Sequence, residues 1–271
     1  MRPLGVIGYL SRDTIEGSKP RVGGAPYYTA RALRLLATPA RIVTKCAEPD
    51  RDALLPRVIS LGVPVSWRPS ATTPTFTMSY DGDRRDMHVD VVGEPWSPDE
   101  ARDWVAPALR RADWVHVAPL ARSDFPPETL AELARGHRIL FDGQGLVRVP
   151  RPGPLRLDAD FDRKVLRHVT VLKLAEEEAE VLVGTPDAAS LCELEVPEVI
   201  VTLGSRGSRV YAGRRLERVS ARQPGERIDP TGAGDAFAVG YLAGRNSGLA
   251  PGAAARRATA LVGGFLMGRA R

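Results

Sequence analysis

Short apolar runs alternate with longer amphipathic runs along the first quarter of the chain. The short runs at Leu4–Tyr9, 41–45 and 63–67 have the length and apolar content of buried strands. Helical patterns separate them at 25–37 and 50–61. Strands that alternate with helices in this way predict βαβ units and a largely parallel sheet.

The same alternation continues to the C-terminal end of the sequence. Further strands are predicted at 113–117, 138–142, 169–174 and 199–203, a hairpin at 208–212 and 216–219, and helices at 97–110, 127–135, 176–183, 236–244 and 251–267. The helix at 97–110 has a clear start, because Ser97 can cap its N-terminus and Pro98 suits the first helical position.

Two β-prone runs at 75–80 and 85–91 interrupt this alternation. They are joined by Asp81-Gly82-Asp83, a strong hairpin signal. A hairpin inserted into an α/β series projects from the main sheet. The sequence therefore predicts one domain over residues 1–271, with a projecting hairpin around 72–92.

Composition supports a globular enzyme-sized domain. The 271 residues are 43% hydrophobic, which allows one large α/β core. No apolar run is long enough to span a bilayer, and the start of the chain does not resemble a signal peptide. Cys46 and Cys192 have no metal-ligand spacing. We therefore expect two free thiols, a cytoplasmic location and no association with membranes.

The positive net charge does not by itself indicate nucleic acid. The net charge is +5, but most of the 38 basic residues are arginines that alternate with acidic residues. No basic run is interleaved with aromatic residues, so no nucleic-acid partner is expected. A modest positive field would suit an anionic small molecule.

The most informative segment precedes the predicted helix at 236–244. Gly232, Ala233 and Gly234 fall where a helix begins, and the backbone N–H groups there have no intrahelical acceptor. Small residues and the helix dipole make such a place suitable for an anion. Asp235 would repel an anion unless it accepts a proton from the attacking group. The pattern predicts a phosphate site with a general base; a tightly packed helix N-terminus is the alternative.

Several other chemistries lack their sequence patterns. The chain has no Gly-x-x-x-x-Gly-Lys-[Ser/Thr] loop, no His-Glu-x-x-His or Cys-x-x-Cys pair, and no Gly-x-Ser-x-Gly elbow. The four histidines show no ligand spacing, so each is expected to be structural or exposed. They are His88, His116, His137 and His168.

The string from Asp229 to Phe237 resembles the signature of the ribokinase/PfkB carbohydrate kinase family. Further matches occur in the family's order over nearly the whole chain. The resemblance implies a ribokinase-like three-layer α/β sandwich with a mainly parallel central sheet and a small β lid. It also implies phosphoryl transfer from ATP, with Asp235 as the base and residues 232–234 stabilising the transferred group. Asp229 resembles a family position near a monovalent-cation site.

The matches on the acceptor side are partial. Asp13 follows the first strand, like the family aspartate that holds substrate hydroxyls, and Gly23-Gly24 resembles the double-glycine motif beside the sugar. Tyr28 stands where family members usually have Asn. Another Asn is replaced at the carboxyl end of the strand at 138–142. The acceptor site implied by the resemblance comprises Asp13, Gly23, Gly24, Tyr28, Gln144 and Arg148.

The matches on the donor side are also partial. The segment from Val201 to Gly207 resembles the strand and turn that line the nucleotide. Glu178 matches the Glu of an Asn-x-x-Glu segment that organises Mg²⁺ through water, but Ala175 replaces the Asn. Magnesium tolerates the loss of one ligand because it keeps several waters. The implied nucleotide-binding residues are Thr202, Gly204, Gly207 and Thr231.

These features predict an ATP- and Mg²⁺-dependent kinase for a small sugar or cyclic polyol. Tyr28 and Gln144 vary as in the inositol-phosphorylating branch of the family, so myo-inositol is the favoured acceptor. A nucleoside kinase is one alternative. A non-catalytic sugar or nucleotide binder is another, motivated by Ala175 and Tyr28. The chain could also form a homodimer.

Overall fold

The structure is a computed structural model that describes residues 2–81, 84–221 and 229–268. Gly82 and Asp83 of the predicted hairpin turn lie outside the described residues. The described strands, in chain order, are β1 (Leu4–Tyr9), β2 (Ser11–Ile15), β3 (Arg21–Gly23), β4 (Ala40–Ala47), β5 (Val65–Ser70), β6 (Thr75–Asp81), β7 (Arg84–Val91), β8 (Trp114–Ala118), β9 (Arg138–Asp142), β10 (Gly153–Pro154), β11 (Val171–Ala175), β12 (Glu198–Thr202), β13 (Ser208–Ala212) and β14 (Arg215–Val219).

The α-helices of the described residues include every predicted one and two short additional ones, at 144–147 and 188–192. They are α1 (Ala25–Leu36), α2 (Arg51–Ile59), α3 (Pro98–Glu100), α4 (Ala106–Leu109), α5 (Pro127–Ala134), α6 (Gln144–Val147), α7 (Glu176–Val183), α8 (Ala188–Cys192), α9 (Ala233–Asn246) and α10 (Pro251–Met267). A π-helical turn joins α3 to α4, so that the two form one helical segment. Ser97 caps α3 as predicted: its hydroxyl accepts from the Glu100 N–H, and the Glu100 carboxylate accepts from the Ser97 N–H.

One large sheet forms the centre of the molecule. Its order is β14-β13-β12-β11-β9-β8-β1-β4-β5. The strands from β12 to β5 are parallel, and β13 and β14 pair antiparallel at one edge. This arrangement confirms the predicted mainly parallel sheet.

Helices cover both faces of this sheet. The fully buried strand β1 shows why, because its side chains alternate between two apolar cores. Leu4 and Val6 pack into the core shared with α1, α9 and α10. Ile7 and Tyr9 pack into the opposite core, which contains residues of α4, α5 and α7. The molecule is therefore the three-layer sandwich expected from the sequence.

A second, smaller sheet forms the lid. Its order is β10-β7-β6-β2-β3, with β2 and β6 parallel and the other pairs antiparallel. The lid thus extends beyond the predicted hairpin around 72–92. Asp13, which follows the first strand, lies within β2. These extra strands are short, so their sequences alone carry little strand signal.

Side chains donate hydrogen bonds to the backbone of residues 92–96, where the chain returns from the lid to the main body. Lys45 is buried and lies 3.0 Å from both carboxylate oxygens of Glu100. Its ammonium also donates to a backbone carbonyl and lies 4.6 Å from the centre of the Trp96 ring. The carbonyls that receive side-chain donors here are those of Val92 (from Thr72), Glu94 (from Tyr9), Pro95 (from Lys45) and Trp96 (from Thr129).

Two further sequence expectations can be compared with the structure. Cys46 and Cys192 are both free thiols. No helix among residues 2–81, 84–221 and 229–268 is long and apolar enough to cross a membrane.

Candidate active site

The candidate site lies where three neighbouring strands end against the first turn of α9. Strand β8 carries His116, β9 ends at Asp142, β11 carries Lys173, and α9 carries Asp235. The carboxyl ends of adjacent parallel strands share one edge of the sheet, where ligands of α/β proteins bind. The fold thus brings together four residues that are far apart in sequence.

Asp142 is the centre of this cluster. Its side chain is 3% exposed; Oδ2 lies 2.6 Å from His116 Nε2, and Oδ1 lies 2.5 Å from Lys173 Nζ. Burial alone would raise the pKa of Asp142. The charges of Lys173 and His116 outweigh burial and lower the pKa of Asp142 below its ordinary value. Asp142 is therefore a carboxylate at neutral pH.

Lys173 stays charged for the complementary reason. Burial lowers the pKa of its ammonium, but the Asp142, Glu178 and Asp235 carboxylates raise it more, and the net shift is upward. The structure therefore contains a buried positive charge at the carboxyl end of the sheet. The ion pair with Asp142 compensates the desolvation of both groups.

Asp235 has the properties of a general base. It is half-buried, and burial followed by the charge of Asp142 raises the pKa of Asp235 to about 6. The charges of His116, Lys173 and Arg148 act in the opposite direction. At neutral pH Asp235 is thus mostly ionised, yet it binds a proton more readily than an ordinary aspartate.

The first turn of α9 has the geometry of an anion site. Its first i→i−4 bond runs from the Ala236 N–H to the Gly232 carbonyl, at 2.9 Å. The N–H groups of Gly234 and Asp235 precede that bond and have no intrahelical acceptor. The Ala233 N–H instead donates to Pro230, at 2.9 Å, so it belongs to the turn. A Cβ added at Gly234 would lie 3.5 Å from Lys173 Nζ, which shows that the ammonium faces this turn.

Tyr28 supports this turn from below. Gly232 has a φ of +81°, and a Cβ added to it would overlap the Tyr28 ring. The Tyr28 side chain is 4% exposed and belongs to the core beneath α9. A glycine is therefore needed at position 232 for two reasons: the positive φ, and the lack of space for a Cβ beside the Tyr28 ring. Contact between Tyr28 and an acceptor stays a prediction.

The double glycine creates room around Asp13. A Cβ at Gly23 would overlap the Asp13 carboxylate, and a Cβ at Gly24, where φ is +85°, would overlap the Tyr9 carbonyl. The Ser11 hydroxyl donates to Asp13 Oδ1 at 2.7 Å. The two glycines thus let a buried carboxylate sit between the lid and the main sheet. The binding of acceptor hydroxyls by Asp13 stays a prediction.

Gln144 and Arg148 flank the cluster on the β9 side. Gln144 begins α6, directly after Gly143, and Arg148 follows the last residue of that helix. The positive charge of Arg148 acts to lower the pKa of both Asp124 and Asp235, against the larger effect of burial. Their predicted role in binding the acceptor is consistent with this position.

The predicted donor residues lie in two turns. Thr202 ends β12 and donates to the Leu174 carbonyl at 3.1 Å. Gly204 and Gly207 have φ values of +58° and +102°, which explains two glycines in this turn. Thr231 donates through both its backbone N–H and its hydroxyl to Asp229 Oδ1, at 2.9 and 2.5 Å, shaping the turn before α9. A nucleotide role for these residues stays a prediction.

Glu178 can accommodate a hydrated magnesium ion. Its Oε2 accepts the Ala175 N–H at 2.8 Å, which caps α7 and fixes the carboxylate beside Gly143. Ala175 offers no side-chain oxygen. One fixed carboxylate suits an ion that keeps most of its waters, so the residues present fit Mg²⁺.

A second group of potential metal ligands is less suitable. One ligand atom from each of His116, Asp142 and Asp235 lies within 4.8 Å of the others. However, Asp142 already pairs with His116 and with the Lys173 ammonium. A cation would have to displace or approach that positive charge. The geometry therefore favours an ionic cluster over a metal centre.

Lys173 and His116 were missed as site residues in the sequence. His116 was expected to be structural or exposed, and it is buried within the cluster and bonded to Asp142. Neither residue belongs to a motif with local spacing. The only available signal was a charged or polar residue within an otherwise apolar strand.

Comparison with known proteins identifies relatives over most of the chain. The family model for pfkB family carbohydrate kinases matches residues 15–263. A cytidine kinase of Thermococcus kodakarensis is 27% identical over 92% of this chain and 90% of its own length. An inositol 3-kinase of Oryza sativa is 40% identical, over 45% of this chain and 32% of its own length.

The fold also matches solved structures. A pyrophosphate-dependent kinase of the ribokinase family, complexed with a pyrophosphate analogue and myo-inositol, superposes with a TM-score of 0.82. It is 24% identical and the alignment covers 97% of this chain and 95% of that one. This likeness confirms the ribokinase-like fold.

The two glycines of the α9 turn should respond differently to the same substitution. Gly232→Ala should destabilise the protein by roughly 1–3 kcal/mol, because the methyl group meets Tyr28 and the backbone has a positive φ. Gly234→Ala should fold at least as well as the natural chain, while the methyl group narrows the anion site and raises the KM of the phosphate donor. Urea unfolding and donor KM measure the two effects. Equal stability of both variants would contradict the assignment.

The pH dependence of activity should report Asp235. Because the pKa of Asp235 is raised to about 6 and the base must be unprotonated, kcat/KM should fall as the pH drops through about 6, rather than near 4. Asp142→Asn removes a negative charge that raises the pKa of Asp235. In this variant, the fall in the remaining kcat/KM should therefore occur at a lower pH. A profile that is flat from pH 7 to 5 in the natural enzyme would refute the role.

Proposed function

Since the chain belongs to the pfkB family of carbohydrate kinases, we propose that it transfers the γ-phosphoryl group of ATP to a hydroxyl of a cyclic polyol, with myo-inositol favoured. Phosphorylation of an alcohol group on a sugar, polyol or nucleoside is the activity of its relatives. The choice of acceptor and donor within that class is our proposal.

One observation carries the assignment of the site. A carboxylate with a raised pKa, Asp235, stands in the same helical turn as an N–H group without an intrahelical acceptor, opposite the buried Lys173 ammonium. A protein that only binds a sugar needs no base at this place. The arrangement meets the two needs of phosphoryl transfer, which are proton removal and stabilisation of charge.

The reaction follows from these positions. The acceptor hydroxyl is held between Asp13 and Asp235, and its oxygen attacks the terminal phosphorus of the donor. Asp235 receives the hydroxyl proton as the new O–P bond forms and the bond to the leaving phosphate breaks. The Gly234 N–H and the Lys173 ammonium stabilise the negative charge on the transferred group. Positioning supplies much of the rate, because little covalent chemistry is required of the protein.

Magnesium complements these residues when it is bound. Glu178 would hold the ion through its waters, and the ion would supply positive charge next to the donor phosphates. Lys173 then adds a fixed positive charge on the side of the α9 turn. Thr202, Gly204, Gly207 and Thr231 would contact the rest of the nucleotide.

The acceptor is assigned from relatives and from the pocket together. An inositol 3-kinase shares 40% identity over part of this chain, and a structural neighbour is described with myo-inositol bound. Asp13 provides two carboxylate oxygens for neighbouring hydroxyls, as a polyol requires. The cytidine kinase relative aligns over more of the chain, so a nucleoside is the main competing acceptor.

Replacement of the base should separate chemistry from binding. Asp235→Asn keeps the size of the side chain but cannot accept the proton, so kcat should fall by about 10²–10⁴-fold. Binding of ATP, followed by titration calorimetry, should change little. Asp187→Asn, at the distant N-terminus of α8, serves as the control and should keep full activity. An Asp235→Asn enzyme within a few-fold of the natural one would exclude this role.

A panel of acceptors and donors tests the specificity. We expect myo-inositol to give the highest kcat/KM when it is compared with fructose, ribose, cytidine and adenosine, with ATP or pyrophosphate as donor. A tenfold preference corresponds to about 1.4 kcal/mol of transition-state binding. If cytidine or ribose exceeds inositol by that factor, the inositol proposal is wrong and the kinase assignment stands. Higher activity with pyrophosphate than with ATP would change the proposed donor and leave the proposed acceptor unaffected.

A further inference from the structure

A buried carboxylate outside the catalytic cluster has an unused oxygen. Asp124 lies in the loop between β8 and α5 and is 1% exposed. Its Oδ2 accepts the N–H groups of Leu120 and Ala121, at 2.6 and 3.1 Å. Its Oδ1 is buried and has no hydrogen-bond partner among the described residues. Burial of a hydrogen-bond acceptor without a donor costs free energy, so we expect this oxygen to bind a donor group of a ligand.

Asp124 lines a small cavity beneath the lid. The cavity is about 10 Å³, which is close to the space of one water molecule or one hydroxyl group. The rest of its wall is mostly apolar, and Arg148 provides the other charged side chain. The wall includes Phe76, Val89 and Val91 of the lid and Leu120 of the loop.

The cavity adjoins the proposed acceptor site. Phe76 in β6 is the register partner of Asp13 in β2, so both side chains project from the same face of the lid. Arg148 lines the cavity, and its charge acts on both Asp124 and Asp235. An acceptor held by Asp13 and Asp235 can therefore direct one substituent toward Asp124.

The surroundings of Asp124 suit a hydroxyl group. Burial raises the pKa of Asp124 to about 7, although the two backbone hydrogen bonds and the charges of Lys45 and Arg148 lower it. Above neutral pH the carboxyl group is therefore mostly ionised, and its Oδ1 can accept a hydrogen bond. A hydroxyl group can donate that bond. The cavity is too small for a ring, so the ligand enters with a single polar substituent.

We propose that Asp124 is a specificity-determining residue that binds an acceptor hydroxyl remote from the one that is phosphorylated. This inference rests on the proposed kinase function and names a recognition point within the same pocket. It favours a ring with hydroxyl groups around its edge over an acceptor that presents an aromatic base to the lid.

Asp124→Asn tests the inference with little change in shape. The amide oxygen can still accept the Leu120 and Ala121 N–H groups, while an NH₂ group replaces Oδ1. With the best acceptor of the panel, kcat/KM for the acceptor should fall by about 10- to 100-fold, the value of a hydrogen bond to a charged group. The KM of the donor should change less than twofold.

Deoxy analogues of the same acceptor identify the hydroxyl. In the natural enzyme, removal of the hydroxyl that meets Asp124 should reduce kcat/KM strongly, and in Asp124→Asn the same removal should matter little. For the other deoxy analogues, kcat/KM should fall by the same factor in the natural enzyme and in Asp124→Asn. The proposal would be overturned if Asp124→Asn changed kcat/KM by the same factor for every deoxy analogue. It would also be overturned if Asp124→Asn kept the kcat/KM of the natural enzyme for the full acceptor. If no acceptor supports turnover by the natural enzyme, the kinase function itself has failed instead.

Two further variants separate recognition from stability. Glu198→Gln changes another buried carboxylate, which binds Tyr241 and Arg245 away from the site, and it should alter stability without changing preference among the analogues. Val89→Leu fills the cavity and leaves Asp124 in place, so it should reproduce the selective loss even if Asp124→Asn folds poorly. An unchanged preference in Val89→Leu would refute the role of the cavity.

Discussion

The paired charge of Asp142 is the interaction on which the site depends. A carboxylate this deeply buried would take up a proton if it stood alone. The ammonium of Lys173 and the ring of His116 hold it in the charged form. In return, Asp142 keeps the ammonium buried beside the α9 turn and raises the pKa of Asp235. Three neighbouring strands each contribute one partner, so the cluster forms only when the sheet has its correct order.

Three glycines allow close approach between segments around this charge. Gly232 gives room to Tyr28, Gly23 gives room to Asp13, and Gly24 gives room to the Tyr9 carbonyl. Each glycine lets two segments from different parts of the chain approach more closely than a Cβ allows. These three contacts hold α9 against α1, β3 against β2, and the start of α1 against the end of β1.

The sequence predicted those features that have local signals. Short apolar runs and amphipathic runs gave the order of strands and helices, and the glycines before α9 indicated an anion site. Lys173 and His116 were not predicted, because their partner Asp142 is distant in sequence and is reached only through the strand order. β2 and β3 were missed because they are short, and because β2 joins the lid through β6, about sixty residues away. Asp124 carries no motif, and its unused oxygen is visible only in three dimensions.

Lys173 offers a physical explanation for Ala175 at the position where an Asn was expected, because the two residues lie on the same strand. Residues two apart on a strand project from the same face, so Lys173 and Ala175 point toward the same space. Ala175 offers no polar group to a metal ion, while Lys173 places a permanent positive charge beside Gly234 and Glu178. A lysine ammonium is a point charge that recognises any phosphate oxygen. Within the proposed mechanism, it cannot distinguish ATP from a shorter phosphate donor. Donor selectivity must therefore arise farther from the reacting phosphorus, at residues such as Thr202 and the turn that follows it.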